Sequence, residues 1–142
     1  MRMWHHQLLP YLPDAQFRGQ YRELIATMHD WRDKGTTNHL LINKVMEFSK
    51  RDLAAYFISY EAQYHKRYGK WLSVSKEFLE FYDDYEKVTA YEGWHNKEYL
   101  RVCMANLYEK HFFGVGKSRI TDEEWARLCE GYREITGEEY EI

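Results

Sequence analysis

The chain has 142 residues, of which 44% are hydrophobic and 18% aromatic, a length and composition that suit one domain around one core. The net charge of −3 excludes a uniformly basic nucleic-acid coat, and no apolar run approaches the length of a membrane span. Two cysteines without CxxC spacing fit reduced thiols better than a disulfide or a zinc site, although the sequence leaves a single bridge open. We expect one compact cytoplasmic domain, residues 1–142.

Residues 1–13 are predicted to form an irregular lead-in, because Pro10 and Pro13 interrupt it. Asp14 is a suitable N-cap for a first helix that extends to about Trp31. Apolar side chains recur through this helix with a helical period, at Phe17, Tyr21, Leu24 and Met28.

A second long helix is predicted in the middle of the chain. It begins at a capping box formed by Ser49 and Asp52 and ends by Gly69. The preceding residues 39–48 fit a short helix or an ordered irregular segment. One face of the second helix is apolar: Leu53, Tyr56, Phe57, Tyr60 and Tyr64.

The last part of the chain contains further helical patterns. Ser75 can cap a short helix, the turn at Trp94 precedes another helix, and Thr121 with Glu124 forms a capping box for a last helix that Gly137 can end. No alternating strand pattern occurs. The fold prediction is therefore all-α, with four or five helices around an aromatic-rich core. Inner stripes are expected at Leu100, Cys103, Met104 and Leu107, and at Trp125, Leu128, Cys129 and Tyr132.

Charge and aromatic residues bear on nucleic-acid binding. Residues 1–71 hold 11 Lys and Arg against 7 Asp and Glu, a net +4, whereas residues 72–142 hold 9 against 16, a net −7. Any DNA is therefore expected on the face built by the first half. Trp4 and Trp94 break the helical spacing and could be exposed stacking platforms.

Seven histidines raise the question of a metal site. Adjacent His5 and His6 would point apart on regular structure, and no HxxxH or HExxH pair occurs. A site assembled from distant residues stays open. We predict no metal and no organic cofactor.

The first 23 residues combine an α-amine, arginines and a carboxylate. An unperturbed α-amine has a pKa of about 7.7 to 8.0, so a usable fraction is neutral and nucleophilic near pH 7. The short lead-in can bring the amine of Met1 back toward Glu23 on the first helix. Each charged residue alone would be an ordinary surface residue, but the combination predicts imine chemistry at the start of the chain.

Three stretches of the first quarter resemble the amino-terminal signature of the pyrimidine-dimer DNA glycosylase, or endonuclease V, family, and in particular its uncharacterised bacterial branch. They are Met1-Arg2-Met3-Trp4-His5, Leu9-Pro10-x-Leu12-Pro13 and Gly19-Gln20-Tyr21-Arg22-Glu23-Leu24. A later segment is similar to that branch as well, namely His95-x-x-x-Tyr99-Leu100-x-x-Cys103-x-x-Asn106-Leu107.

The resemblance implies a DNA-repair glycosylase and abasic-site lyase. In this family an α-amine attacks C1′ of the damaged nucleotide, the base leaves through a covalent imine, and β-elimination cuts the strand. The nucleophile is normally exposed by removal of the initiator methionine. Aligning Arg2 with the family's arginine beside the nucleophile makes Met1 the nucleophile here, and Glu23 matches the catalytic glutamate. The acidic end, residues 137–142, replaces a basic and aromatic run of the family.

We therefore expect Met1 and Glu23 to be catalytic, with Arg2, Arg18, Arg22 and Lys44 in contact with DNA. Three histidines are candidates for lining the site: His5, His39 and His95. The expected partner is lesion-containing double-stranded DNA, bound by a monomer. Two alternatives stay open, namely a non-catalytic nucleic-acid-binding module and a helical protein-interaction domain.

Overall fold

The structure is a computed structural model that describes residues 3–33, 44–45, 47–72 and 89–142. Four α-helices lie within these ranges: α1 (Asp14–Asp33), α2 (Lys50–Tyr68), α3 (Lys97–Phe112) and α4 (Asp122–Thr136). The described residues contain no strand, and the predicted all-α fold is confirmed. Met1, Arg2, His39 and the helix predicted from Ser75 lie outside the described residues. Among the helices described, none has the length and apolar character needed to cross a membrane.

The lead-in contains an element that the sequence did not predict. His6–Tyr11 forms a 3₁₀ helix that includes Pro10, because the fixed φ of proline is compatible with 3₁₀ geometry. The carbonyl of Pro13 then accepts the first hydrogen bond of α1, from the amide of Phe17 at 2.9 Å. Asp14 therefore lies in the first turn of α1 rather than at its N-cap.

The helix boundaries of α2 and α4 follow the predicted local signals. Ser49 with Asp52, and Thr121 with Glu124, form complete capping boxes. Both helices end at a glycine in the left-handed conformation, with φ of 69° after α2 and 77° after α4. The predicted caps therefore define both ends of α2 and of α4.

One hydrophobic core joins the lead-in to all four helices. The predicted stripes of α1, α2 and α3 supply fully buried side chains, and both cysteines are free thiols, as expected. Trp4 and Trp94 are buried, with 4% and 9% of their surface exposed, so the prediction that they break out of the core was wrong. The 3₁₀ helix of the lead-in packs against α2 and α4. The backbone of Trp4 is bonded to Gln20 of α1 and to Tyr56 of α2. The exposed tryptophan is Trp71, at 65%.

Candidate active site

One face of α1 carries the predicted catalytic carboxylate. Gln16, Gly19 and Glu23 recur every three or four residues and so share this face. They line an open pocket of about 340 Å³, a volume within the range of small-molecule sites. The lead-in, α1, α3 and the turn at Gly116–Ser118 complete its walls with Trp4, Ala15, Asn106, Glu109, Lys110 and Ser118.

The backbone of the lead-in is held against this face by buried hydrogen bonds. The amide of Trp4 donates to Oε1 of Gln20 at 2.8 Å, and the hydroxyl of Tyr56 donates to the carbonyl of Trp4 at 2.6 Å. The hydroxyl of Tyr99 donates to the carbonyl of Met3. Burial raises the pKa of Tyr56 well above its usual value, so this hydroxyl keeps its proton and remains a donor. The chain therefore enters the pocket wall at a fixed position.

Gln20 connects the held backbone to the carboxylate of Glu23. Its Oε1 accepts from the amide of Trp4 at 2.8 Å, and this donor sets the orientation of the side-chain amide. The same oxygen lies 3.1 Å from the hydroxyl of Tyr56, whose one proton is closer to the carbonyl of Trp4. The amino group, Nε2, then points to Oε2 of Glu23 at 3.4 Å. The hydroxyl of Thr27 donates to the backbone carbonyl of Glu23 at 2.7 Å. The side chain of Glu23 is thus presented as an acceptor at the pocket.

Arg22 does not line this pocket, but its side chain lies close to Gly19, which does. A Cβ placed on Gly19 would be 3.7 Å from Nη2 of Arg22, so the guanidinium lies over the glycine that lines the pocket. Outside the turns of α1 next to Gly19, no backbone atom of the described residues comes within 4 Å of that Cβ. Gly19 therefore leaves space at the pocket instead of admitting a neighbouring backbone.

The other described basic candidates, Arg18 and Lys44, do not line the pocket of Glu23. Nε of Arg18 pairs with Oδ2 of Asp14 at 2.9 Å, and the guanidinium lies over the ring of Tyr68. Nζ of Lys44 pairs with Oε2 of Glu47 at 3.2 Å. Both pairs are exposed, and exposed ion pairs of this kind contribute little stability and exchange readily. Arg18 does share a second cleft with Arg22, lined also by Tyr21, Tyr60 and Tyr64.

His5 and His95 lie together with His6, and they line a different pocket from that of Glu23. The ring centroids of His5 and His6 are 5.0 Å apart, and those of His5 and His95 are 5.1 Å apart. The expectation that adjacent His5 and His6 point apart was wrong. His5 is the N-cap of the 3₁₀ helix, with φ of −51° and ψ of 131°, and this non-helical geometry places its ring beside that of His6.

Hydrogen bonds decide what this histidine cluster can bind. Its ligand nitrogens lie within 4.8 Å of one another, close enough to suggest a metal site. However, Nδ1 of His95 accepts from the amide of His6 at 3.0 Å, and Nδ1 of His5 accepts from the amide of Gln7 at 3.1 Å. Each neutral ring then carries its proton on Nε2, so neither ring has a lone pair left for a metal.

The same cluster is uncharged at neutral pH. Burial, together with repulsion between the rings, lowers the pKa of His5 to about 4 and that of His95 to about 2. Burial also lowers the pKa of His6. The cluster is therefore a neutral packing unit that holds the lead-in against the residues before α3.

Residues from the second half of the chain were missed by the sequence reasoning. Asn106 and Lys110 of α3 lie one turn apart and line the pocket with Glu23. Nε2 of Gln16 donates to the carbonyl of Ser118 at 2.9 Å, which brings the turn after α3 onto α1. No local motif marks these residues, because their sequence separation from Glu23 exceeds 80 positions.

Comparison with known families places the first half of the chain in one of them. The sequence model of the pyrimidine dimer DNA glycosylase family matches residues 1–71. No curated protein and no solved structure matches the chain. The matched half includes the lead-in, all of α1 with Glu23, and all of α2 with Tyr56. On this evidence, the chain belongs to the pyrimidine dimer DNA glycosylase family.

Proposed function

We propose that this protein is a DNA-repair glycosylase and abasic-site lyase, with the α-amine of Met1 as nucleophile and Glu23 as its acid–base partner. The observation that carries the proposal is the fixed position of the Met3–Trp4 backbone beside Glu23, at an open pocket. Membership of the family supplies the substrate class, damaged DNA that contains pyrimidine dimers.

Covalent geometry supports the pairing of the amine with Glu23. Met1 is two residues before Met3, and two residues span at most about 7 Å. The side chain of Gln20 bonds both the amide of Trp4 and the carboxylate of Glu23. The backbone from which Met1 and Arg2 extend is therefore separated from that carboxylate by the side chain of Gln20. The α-amine of Met1 can therefore reach the opening of the pocket.

The proposed reaction begins when the lone pair of the neutral amine attacks C1′ of the damaged nucleotide. The bond from C1′ to the base breaks and the base leaves with its electron pair. Loss of the amine proton and opening of the sugar ring then give an imine. Removal of a proton from C2′ expels the 3′ phosphate and cuts the strand, and water finally hydrolyses the imine.

Glu23 has two tasks in this sequence. As an acid it gives a proton to the sugar ring oxygen when the ring opens, and as a base it takes the proton from C2′. Its negative charge also stabilises the positively charged imine. The hydrogen bond from Gln20 orients the carboxylate for both steps.

Two cations at the pocket supply phosphate contacts. The guanidinium of Arg22 lies close to Gly19, and Lys110 forms part of the wall. A guanidinium can hold a phosphate with two parallel hydrogen bonds, whereas an ammonium acts as a point charge. Affinity for DNA should therefore fall as salt rises.

The test is covalent trapping with borohydride, which reduces the imine to a stable adduct. Wild-type protein is incubated with duplex DNA that contains an abasic site, or with irradiated duplex. Glu23→Gln should lower the rate of adduct formation by about 100-fold or more. Glu109→Gln is the matched control, since Glu109 lines the same pocket but contributes no acid–base step, and it should change the rate by less than about threefold.

A second variant addresses the nucleophile. A tag left on the amino terminus replaces the Met1 amine with an amide, so it should abolish the adduct. Absence of an adduct with wild-type protein on every lesion would reject the enzyme. If salt-sensitive DNA binding persisted in that case and survived Glu23→Gln, the non-catalytic binding module would replace it.

A further inference from the structure

The segment 110–120, which joins α3 to α4, presents apolar side chains to solvent beside the candidate active site. Phe112, Phe113 and Val115 are 64%, 73% and 82% exposed. Exposed large apolar side chains grouped in this way are a feature of interaction sites. The segment begins with Lys110, which lines the pocket of Glu23.

The segment is closed at its base and linked to α1. The amide of Ile120, which is fully buried, donates to the carbonyl of Lys110 at 3.3 Å. Gln16 of α1 donates to the carbonyl of Ser118. A Cβ on Gly114 would lie 2.1 Å from the carbonyl oxygen of Lys110, so the backbone of the segment closes tightly at this point. The exposed tip is therefore held in one place relative to the active-site face of α1.

The two phenylalanines occupy different positions relative to the pocket. Asn106 and Lys110 line the pocket, and Phe113 follows them on the same helical face, at seven and three residues further along. Phe112 instead lies one turn after Tyr108, and their ring centroids are 5.8 Å apart. Phe113 therefore continues the side of α3 that lines the pocket, whereas the ring of Phe112 packs against Tyr108. The two phenylalanine rings also contact each other edge to face, with centroids 4.8 Å apart.

The charge of the segment suits a polyanion. Residues 110–119 contain Lys110, Lys117 and Arg119 and no carboxylate, although the second half of the chain has a net charge of −7. Lys117 and Arg119 follow the tip and are exposed. Glu109 and Asp122 flank the segment, and Asp122 lies 3.5 Å from Nε2 of His111. The cations of the segment can face phosphates while its apolar tip faces bases.

We propose that Phe113, together with Val115, is a wedge that enters the base stack of the duplex next to the lesion, with Lys117 and Arg119 on the adjoining phosphates. The inference rests on the proposed function, since that function requires a nucleotide to leave the stack and enter the pocket. Apolar side chains inserted between base steps are an established means of unstacking DNA. Phe113 would occupy the space that the extruded nucleotide leaves.

The wedge can be tested without turnover. A duplex with 2-aminopurine next to an abasic site becomes more fluorescent when the reporter base loses its stacking partner. When wild-type protein saturates the duplex, as confirmed by anisotropy, the fluorescence should rise. Phe113→Ala should reduce this rise, and Phe113→Leu should give most of the wild-type rise. The control Phe112→Ala, at a similarly exposed position, should give the full wild-type rise.

Borohydride trapping supplies the second measurement. Phe113→Ala should slow adduct formation on abasic duplex by about tenfold, the equivalent of one lost stacking contact. On single-stranded abasic DNA, which needs no unstacking, the rate should stay within about twofold of wild type. Phe112→Ala should match wild type on both substrates.

The outcomes separate the wedge from the chemistry. If wild-type protein forms no adduct on any DNA but raises the fluorescence in a manner that depends on Phe113, the proposed function fails and the wedge stands. If the bound wild-type protein causes no rise in fluorescence, the wedge is overturned. Equal effects of Phe112→Ala and Phe113→Ala, or equal loss on duplex and single strands, overturn it as well.

Discussion

Replacement of Tyr56 by phenylalanine tests whether the lead-in must be held in place for catalysis. The hydroxyl of Tyr56 is fully buried, donates to the carbonyl of Trp4 at 2.6 Å, and lies 3.1 Å from Oε1 of Gln20. Tyr56→Phe removes this donor and leaves the ring in place. The lead-in then loses one of the bonds that fix the backbone next to Glu23.

The expected cost follows from burial. A buried carbonyl that loses its donor costs about 1 to 3 kcal/mol, and removal of the hydroxyl alone leaves no large cavity. For a chain of this size, each kcal/mol lowers the thermal midpoint by about 3 to 4 °C. A loss of about 2 kcal/mol is too small to unfold a typical domain at 25 °C. Any larger loss of activity must therefore come from the position of the amine.

Tyr60→Phe is the matched control. Tyr60 lies one turn after Tyr56 on α2, is equally buried, and donates to the carbonyl of Phe17 at 2.8 Å. It stabilises the contact between α1 and α2 but does not hold the lead-in. The two variants should lose similar stability in chemical unfolding, whereas borohydride trapping should be slowed about tenfold or more only by Tyr56→Phe.

Two results would refute this reasoning. Wild-type trapping rates in Tyr56→Phe, despite a measured loss of stability, would show that the bond to Trp4 does not matter for the amine. Equal slowing by Tyr60→Phe would show that any weakening of the core has the same effect. Either result would separate the position of the lead-in from catalysis.

Three further predictions follow from glycines and histidines. Gly19→Ala should stabilise the protein by about 0.5 to 1 kcal/mol in chemical unfolding. Gly19→Leu should fill the pocket and suppress adduct formation. If Gly19→Leu formed the adduct as fast as wild type, the pocket would not be the site of the reaction. His5 and His95 have lowered pKa values in the folded protein and stay neutral there, whereas in the unfolded chain they take up protons below their ordinary pKa of 6.5. The folded state therefore keeps its stability above pH 6.5 and loses stability as the pH falls from 6.5 toward 4. The loss should be about 1 to 2 kcal/mol for each at pH 5, and an unchanged free energy of unfolding between pH 7.5 and pH 5 would refute it. Gly114→Ala should cost about 1 to 3 kcal/mol, because its Cβ overlaps the carbonyl of Lys110, and a neutral effect would show that the segment yields easily.

The parts of the fold that the sequence predicted depend on short-range interactions. Ser49 with Asp52 and Thr121 with Glu124 are three residues apart, and each pair bonds its own backbone. Gly69 and Gly137 end helices because only the local left-handed conformation matters there. Signals of this kind are complete within one stretch of sequence.

The parts that escaped prediction depend on tertiary contacts. Trp4 is buried where the backbone of the lead-in is bonded to Gln20 of α1 and Tyr56 of α2, and His5 contacts His95 across 90 residues. Lys110 reaches the pocket because Gln16 holds the turn after α3 against α1. A local motif made Glu23 and its neighbour Arg22 candidates, and this assignment stays a prediction. No local motif indicated which residues form the wall opposite Glu23.

The most direct test of the central claim is to locate the trapped adduct by peptide mass spectrometry after borohydride reduction. The account predicts that the sugar remnant is attached to the α-amine of Met1. Attachment to Lys110, the amine-bearing side chain in the wall of the pocket that the structure describes, would contradict the claim.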